Sequence, residues 1–278
     1  MTTLAFALLI AVGSFAAGLL GALTGLGGGI IVVPMLTLLF HVHIHYAVGA
    51  SLVSVIATSS GAAAAYVREG YTNVRVGILL EVATTTGAIV GAVLAAIVPT
   101  SALAILFGVV LLFTAYRQML PRPEHAVLTT PHKWSVRFRL DSTYPTPEGL
   151  QHYSVDRVPQ GFVIMWFAGI LSALLGIGSG LVKVLAMDQM MRLPFKVSTT
   201  TSNFMIGVTA AASAGVYLHS GWIDPTIAFP VMLGVLGGAL LGARILGTAD
   251  TKLLRQLFTA VVVVMALEML YKGVTGGI

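Results

Sequence analysis

Two glycine runs interrupt apolar stretches of the chain, Gly25-Leu26-Gly27-Gly28-Gly29 and Gly176-Ile177-Gly178-Ser179-Gly180. Glycine inside a helix costs about 1 kcal/mol relative to alanine, so such clusters need a reason. One interpretation is close packing between helices, because small residues let helices approach each other in a membrane. The other is a pair of broken helices whose free peptide N–H groups face a buried anion. On that interpretation the runs contribute the binding residues Gly27, Gly28, Gly29, Gly178, Ser179 and Gly180.

Polar side chains near the second run can complete an anion site. Lys183 lies in an apolar run just after Gly180, and a buried lysine is a functional candidate by default. Glu81 lies inside another apolar segment and is the candidate for carrying a coupling proton. Hydroxyl and carboxamide groups that can replace the water around an anion are supplied by Ser51, Thr201, Ser202 and Asn203.

Each of these polar residues also has a structural interpretation. Lys183 can extend its ammonium group to the membrane surface, and the hydroxyls can cap helices or bond between them. His41, His43 and His45 alternate, but alternate residues share a face only on a strand, so no metal site is predicted. The chain has no cysteine, no nucleophile–base pattern and no phosphate-binding loop, so we expect neither an enzyme nor a cofactor.

The composition predicts a membrane protein. Of 278 residues, 57% are hydrophobic and 9% are charged, against about 25% charged in a soluble domain. Because a crossing helix needs about 20 apolar residues, the short segments at 30–40 and 181–191 either span with difficulty or re-enter. The apolar segments lie near 4–24, 30–40, 47–67, 74–98 and 101–119, and again near 161–175, 181–191, 197–218, 226–248 and 254–271.

The two halves of the sequence are related by an internal repeat. Shifting the chain by 151 residues aligns them without a gap. Matched residues include the pairs Gly18 and Gly169, Ser51 and Ser202, Thr58 and Thr209, Gly87 and Gly238, and Gly91 and Gly242. Matched glycines and polar residues over about a hundred positions indicate duplication. We predict a first transmembrane repeat at 1–120, a cytoplasmic insert at 121–160 and a second transmembrane repeat at 161–278.

The positions of the cations predict that the repeats are inverted. Arg68 and Arg75 follow the third segment of the first half, whereas Arg192 and Lys196 follow the second segment of the second half. All cationic loops then share one side only if each repeat crosses the membrane an odd number of times. The predicted fold is therefore an all-α polytopic membrane protein of two inverted-topology repeats with broken or re-entrant glycine-rich helices. Both termini are expected outside and the insert inside.

The polar insert has its own predicted structure. Its prolines exclude a long helix. Trp134–Leu140 and Leu150–Val158 alternate apolar and polar residues, which predicts a small β-hairpin. The simplest role is a linker between the repeats, and regulation or docking of a partner stays open.

Several motifs occur in order along the chain: the first glycine run followed by Pro34, the segment 176–183, the segments 194–197 and 201–207, and the turn 221–225. With these motifs the chain resembles the sulfite exporter TauE/SafE family of membrane permeases. The resemblance implies secondary transport, without ATP, of small sulfur-containing anions such as sulfite, thiosulfate, sulfoacetate or taurine-like organosulfonates. It also implies a bacterial inner membrane. Ser179 and Leu185 depart from the family pattern, which usually has glycine and often proline there, and these departures leave the substrate open.

We therefore expect a permease driven by an ion gradient, with a small anion and the lipid bilayer as partners and no nucleic acid. A homodimer stays open. The first alternative is an anion channel, which cannot accumulate its substrate above equilibrium. The second is a non-transporting binding or scaffold protein, in which deleting 121–158 would matter more than changing Gly27 or Gly178.

Overall fold

A computed structural model of the chain describes residues 3–24, 28–68, 70–120, 133–146, 149–245 and 251–276. These residues are mostly helical, and six of their helices are long and apolar enough to cross a membrane. The predicted all-α polytopic fold is confirmed. The helices are α1 (Thr3–Thr24), α2 (Gly29–Leu38), α3 (Ile44–Arg68), α4 (Val74–Ala95), α5 (Thr100–Met119), α6 (Lys133–Phe138), α7 (Val158–Leu175), α8 (Gly180–Leu185) with a π-helix (Ala186–Met190), α9 (Phe195–His219), α10 (Pro225–Ile245) and α11 (Thr251–Thr275).

Helices of the two halves pack on each other reciprocally. Helices α1 to α5 correspond to α7 to α11 when the insert is left out. α1 packs on α10, and α7 packs on α4. α3 contacts α9 and α10, whereas α9 contacts α3 and α4. α5 pairs with its own equivalent, α11. Each pairing therefore maps onto another pairing, or onto itself, when the halves are exchanged.

Glycines allow the backbones of α4 and α7 to touch. A Cβ atom at Gly169 would lie 2.1 Å from the carbonyl oxygen of Thr84, and one at Gly87 would lie 2.1 Å from that of Trp166. No real Cβ atom fits at such distances. The crossing therefore depends on the two glycines, as expected where small residues bring helices together.

The crossing of α1 and α10 repeats this arrangement at an offset of 151 residues. A Cβ atom at Gly18 would lie 2.3 Å from the carbonyl oxygen of Val235, and one at Gly238 would lie 2.0 Å from that of Phe15. All four residues are the repeat equivalents of those at the crossing of α4 and α7. The glycines matched in the sequence thus occupy matched places in the fold.

Equivalent helices of the two halves run antiparallel. Gly49, near the start of α3, packs on Trp222, just past the end of α9, and Ser59 further along α3 packs on Gly207. The order of contacts between α5 and α11 is reversed in the same way. Antiparallel equivalents are what an inverted repeat requires.

After each of the short helices α2 and α8, the chain lies close to the start of the long helix that precedes it, α1 or α7. The rings of Phe6 and Phe40 pack edge to face with centroids 6.0 Å apart, so the chain after α2 lies near the start of α1. Met191, after the π-helix, packs against Gly161 near the start of α7. Ten residues of α2 rise about 15 Å, half of a bilayer core of about 30 Å. Each short helix therefore runs back towards the start of the long helix before it, which is the path that a re-entrant hairpin takes.

The insert contains the predicted hairpin but not at the predicted place. Strands β1 (Ser142–Thr146) and β2 (Gly149–Tyr153) pair antiparallel. The prediction of a strand at 134–140 was wrong, because most of that segment forms α6. Trp134 and Phe138 stack with ring centroids 5.9 Å apart, which the spacing of one helical turn permits. A run this short satisfies both the helical and the strand pattern.

Asn73, in the loop before α4, attaches the insert to the helical bundle. Its amide nitrogen donates to the carbonyl oxygen of Leu140 and to the hydroxyl of Tyr153, each at 2.8 Å. Its side-chain oxygen caps α4 by accepting from the backbone of Val76. Arg75 also donates to the carbonyl oxygen of Arg139. The insert is therefore docked on the bundle at the end where α4 begins.

We expect this docking to weaken at alkaline pH. Burial raises the pKa of Tyr153 to about 12, and its hydrogen bond with Asn73 opposes that rise. Because the folded state raises the pKa, the stabilisation is complete below the ordinary pKa of about 10 and is lost as the pH rises through about 12. The measurement is the melting temperature against pH for wild type and Tyr153→Phe. The wild type should lose more stability over this interval, and identical profiles would contradict the assignment.

Candidate functional site

Both short helices begin in the middle of the bundle. α2 begins at Gly29, where a Cβ atom would lie 3.0 Å from the side chain of Val55, near the centre of α3. α8 begins at Gly180, where a Cβ atom would lie 2.8 Å from the side chain of Ile206, near the centre of α9. Val55 and Ile206 are repeat equivalents. The two re-entrant hairpins therefore enter from opposite faces and end at the same depth.

The ends of the two hairpins are in contact. A Cβ atom at Gly29 would lie 3.2 Å from the carbonyl oxygen of Gly176. Ser51 donates to that same oxygen at 2.7 Å, and its equivalent Ser202 donates to the carbonyl oxygen of Gly180 at 3.3 Å. The structure thus brings Gly29 and Ser51 of the first half against Gly176 of the second half, and it pairs Ser202 with Gly180.

A left-handed turn connects α7 to α8. Gly176 and Gly178 have φ angles of 66° and 69°, which glycine adopts without strain. Ser179 has a φ angle of 47°, in a region that costs a non-glycine residue about 1–2 kcal/mol. Its hydroxyl is buried and has no hydrogen-bond partner among the described residues. The position that departs from the family pattern is therefore one whose backbone suits glycine.

A chain of buried polar groups lies one helical turn from this junction. The ammonium group of Lys183, fully buried, donates to the hydroxyl of Thr209 at 2.5 Å. Thr209 in turn donates to the Oε1 atom of Glu81 at 2.7 Å, and Thr85 donates to the same atom at 3.1 Å. We call Lys183, Thr209 and Glu81 the charged trio, after the two charged side chains that Thr209 connects. It joins α8, α9 and α4, and hence both halves of the fold.

The charged trio has unused hydrogen-bonding capacity. An ammonium group has three N–H donors, and Lys183 uses one of them on the described part of the chain. The Oε2 atom of Glu81 is buried and has no partner there. Buried polar groups are normally paired, so the side chains of Lys183 and Glu81 are candidates for binding a polar ligand.

Other predicted residues lie away from the trio. Thr201 is buried, and its hydroxyl accepts from the backbone nitrogen of Asn73 at 3.0 Å, which connects α9 to the loop before α4. Asn203 is half-buried on α9 next to Ser202. Gly28 is buried against Val235 and Gly18. The predicted Gly27 lies outside the described residues.

Two of the three alternating histidines contact each other. His45 is buried, with its Nε2 atom 2.8 Å from the carbonyl oxygen of Ala95 and its Nδ1 atom 3.3 Å from the Nδ1 atom of His43. Its ring also packs on Trp222 with centroids 4.4 Å apart. Across the described ranges no group of three histidines or carboxylates is placed to hold a metal ion.

Thr209 is a candidate site residue that the sequence analysis did not single out. It attracted notice only as the repeat partner of Thr58. The available signal was its spacing, since Ser202, Ile206 and Thr209 fall on one face of α9 and face α8. Its partners come from two other helices, which the sequence alone does not bring together.

A helical bundle with two antiparallel copies, re-entrant hairpins and charged groups at mid-depth is the architecture of a membrane transporter. The sequence profile of the sulfite exporter TauE/SafE family matches residues 9–269. The chain belongs to this family, which indicates a membrane transporter and not an enzyme.

Relatives of the chain are described as membrane transporters. "Probable membrane transporter protein YunE" of Bacillus subtilis (strain 168) is 27% identical over 278 residues, covering 98% of this chain and 99% of the relative. "Probable membrane transporter protein YdhB" of the same organism is 27% identical, covering 85% and 89%. "Probable membrane transporter protein MJ0441" of Methanocaldococcus jannaschii is 25% identical, covering 95% and 94%. No solved structure matches the chain significantly.

Proposed function

We propose that the protein is a secondary transporter for small sulfur-containing anions, such as sulfite or an organosulfonate, and that the anion binds Lys183 beside the meeting point of the two hairpins. Support for the substrate class comes from the family description. Support for the site comes from the charged trio, whose elements belong to both halves. An anion held there contacts both repeats, as a substrate must when access alternates between them.

The observation that carries the proposal is the buried ammonium group of Lys183. A charged group buried in a membrane is expensive unless it has a function or a partner. Among the described residues its contact with Thr209 uses one donor, which leaves two for the oxygens of an anion. Ser179, one helical turn earlier along the chain, adds a buried hydroxyl that has no partner in the described part of the chain.

The test is ligand binding to purified wild-type protein, followed by transport in liposomes. Sulfite, thiosulfate, sulfoacetate and taurine are compared with chloride and sulfate at equal ionic strength, using the melting temperature as the readout. A ligand present at about 100 times its Kd stabilises the folded state by about 2.7 kcal/mol. We expect a shift with at least one sulfur compound and none with chloride. A protein that neither binds nor moves any of the four would refute the proposal.

The same liposomes separate a transporter from a channel. With an imposed ion gradient, a secondary transporter accumulates the anion above its electrochemical equilibrium. A channel stops at equilibrium. Deleting 121–158 provides a control for the scaffold alternative, in which loss of the insert would abolish function while the glycine runs remain dispensable.

A further inference from the structure

We propose that Glu81 is a built-in competitor of the transported anion for Lys183, so that the anion binds only when Glu81 carries a proton and one proton moves with each anion. This inference rests on the proposed function, because it assigns the energy coupling of the same site. It assigns Glu81 the role of the proton-carrying residue and Thr209 the role of the positioning residue between the two charges.

The geometry places the two charged groups on opposite sides of one hydroxyl. Lys183 donates to Thr209 from α8 at 2.5 Å, and Thr209 donates to Glu81 on α4 at 2.7 Å. All three side chains are buried. In this arrangement the carboxylate neutralises the ammonium group through the threonine, with no anion bound. Thr209 holds the charges close without direct contact, which leaves the remaining donors of Lys183 open.

The two states of Glu81 have opposite effects on an incoming anion. When the Oε2 atom carries a proton it becomes a donor, and an oxygen of the anion can accept from it while another accepts from Lys183. When the Oε2 atom is ionised it repels the anion and satisfies the charge of Lys183 itself. The proton taken up by Oε2 balances one negative charge. A singly charged anion is thus carried without net charge, and a doubly charged anion carries one net negative charge.

Lys183 is the charged group that faces Glu81 among the described residues. The two interact electrostatically. α7, which packs on α4, has no titratable residue in its sequence. On α9, Lys196 stands over the ring of Tyr71 with 5.8 Å between its Nζ atom and the ring centroid, Tyr217 donates to the carbonyl oxygen of Ala173, and His219 is exposed. On the element after α8, Asp188 lies beyond Lys183 in the π-helix.

The other half of the protein shows that the fold does not need this pair of charges. The repeat equivalents of Lys183 and Glu81 are Val32 and Met232, and Val32 is fully buried. The equivalent of Thr209 is Thr58, which donates to the backbone of its own helix. The same packing is therefore achieved with apolar side chains, which often match or exceed a buried ion pair in stability. The charges serve something other than fastening the helices.

The experiment measures the Kd of thiosulfate and of sulfoacetate, whose charges stay constant between about pH 5.5 and 8.5. The proteins are wild type, Glu81→Gln, and Glu268→Gln as the matched control with an exposed membrane glutamate. For wild type and the control, Kd should rise with pH, by up to about tenfold per pH unit. For Glu81→Gln, which mimics the protonated state, Kd should be the low-pH value throughout. In liposomes this variant should exchange anion across the membrane, but a pH gradient should not drive it to accumulate the anion.

Three results of these measurements would contradict the coupling role of Glu81. A wild-type Kd that does not depend on pH overturns the inference without any variant, so a misfolded mutant cannot hide the result. A Glu81→Gln protein that keeps the wild-type pH slope also overturns it and leaves Glu81 a structural residue. In either case anion binding by wild type still supports the proposed function. If wild type binds neither probe and moves none of the four sulfur compounds, the proposed function fails and the inference fails with it.

Discussion

The Lys183→Gln variant should lose anion binding, with a Kd raised at least about 30-fold over wild type. Removing a charged partner from a buried, hydrogen-bonded contact typically costs about 2–5 kcal/mol, which corresponds to a factor of this size or larger. Glutamine keeps two amide N–H donors near Thr209, but it removes the positive charge and one of the three N–H donors and adds a carbonyl acceptor. The measurement is the Kd of whichever sulfur compound stabilises the wild type. Lys272→Gln is the control, because that lysine lies at the end of α11, away from the trio.

The same substitution should also lower stability, because it leaves Glu81 without its positive partner. Breaking a buried charge pair from one side costs about 3–5 kcal/mol when the remaining group stays ionised. The double variant Lys183→Gln, Glu81→Gln should therefore regain most of the lost melting temperature without regaining binding. Recovery of stability and binding together, or full binding by the single variant, would remove Lys183 from the site.

The Gly169→Ala variant should be among the most damaging single-methyl changes outside the site. The added Cβ atom would lie 2.1 Å from the carbonyl oxygen of Thr84, a backbone atom that cannot turn aside. α4 and α7 must then separate, and over-packing of this kind typically costs about 1–3 kcal/mol, with this site at the upper end. The measurement is the yield and melting temperature of purified protein in detergent.

Gly215→Ala is the matched control for that prediction. Gly215 is also within a helix, and a Cβ atom there would meet nothing within 4 Å. Alanine favours the helix over glycine by about 1 kcal/mol, so the control should be neutral or slightly more stable. Equal losses in the two variants would mean that the helix crossing tolerates separation, contrary to the close contact described.

Much of the fold could be predicted from the sequence because duplication leaves a direct trace. The offset that pairs Gly18 with Gly169 and Gly87 with Gly238 also pairs the two helix crossings that these glycines form. The sequence identified the equivalent glycines, but not that each packs on the other half. The prediction of a strand at 134–140 was wrong, because so short an alternating run is compatible with both a strand and a helix. The contact of Trp134 with Phe138, one helical turn away, is not visible in the alternation.

The candidate site was predictable in its parts and not in its assembly. Inverted copies imply that Gly29 and Gly176 approach each other from opposite faces, and the structure places them in contact. Lys183 and Glu81 were each singled out as charges in apolar segments, with separate roles. Their shared contact with Thr209 depends on how α4, α8 and α9 lie against one another. The spacing of residues along the sequence does not predict how three separate helices pack together.

If the two copies had identical sequences, the inward-open and outward-open forms would be related by two-fold symmetry and would have equal free energies. Any resting preference for one form must therefore originate where the copies disagree. At the centre of this molecule the copies differ at Lys183 against Val32, at Glu81 against Met232 and at Ser179 against Gly28. If Lys183 and Glu81 hold the anion as we propose, the same two residues also influence which of the two forms is favoured before the anion binds.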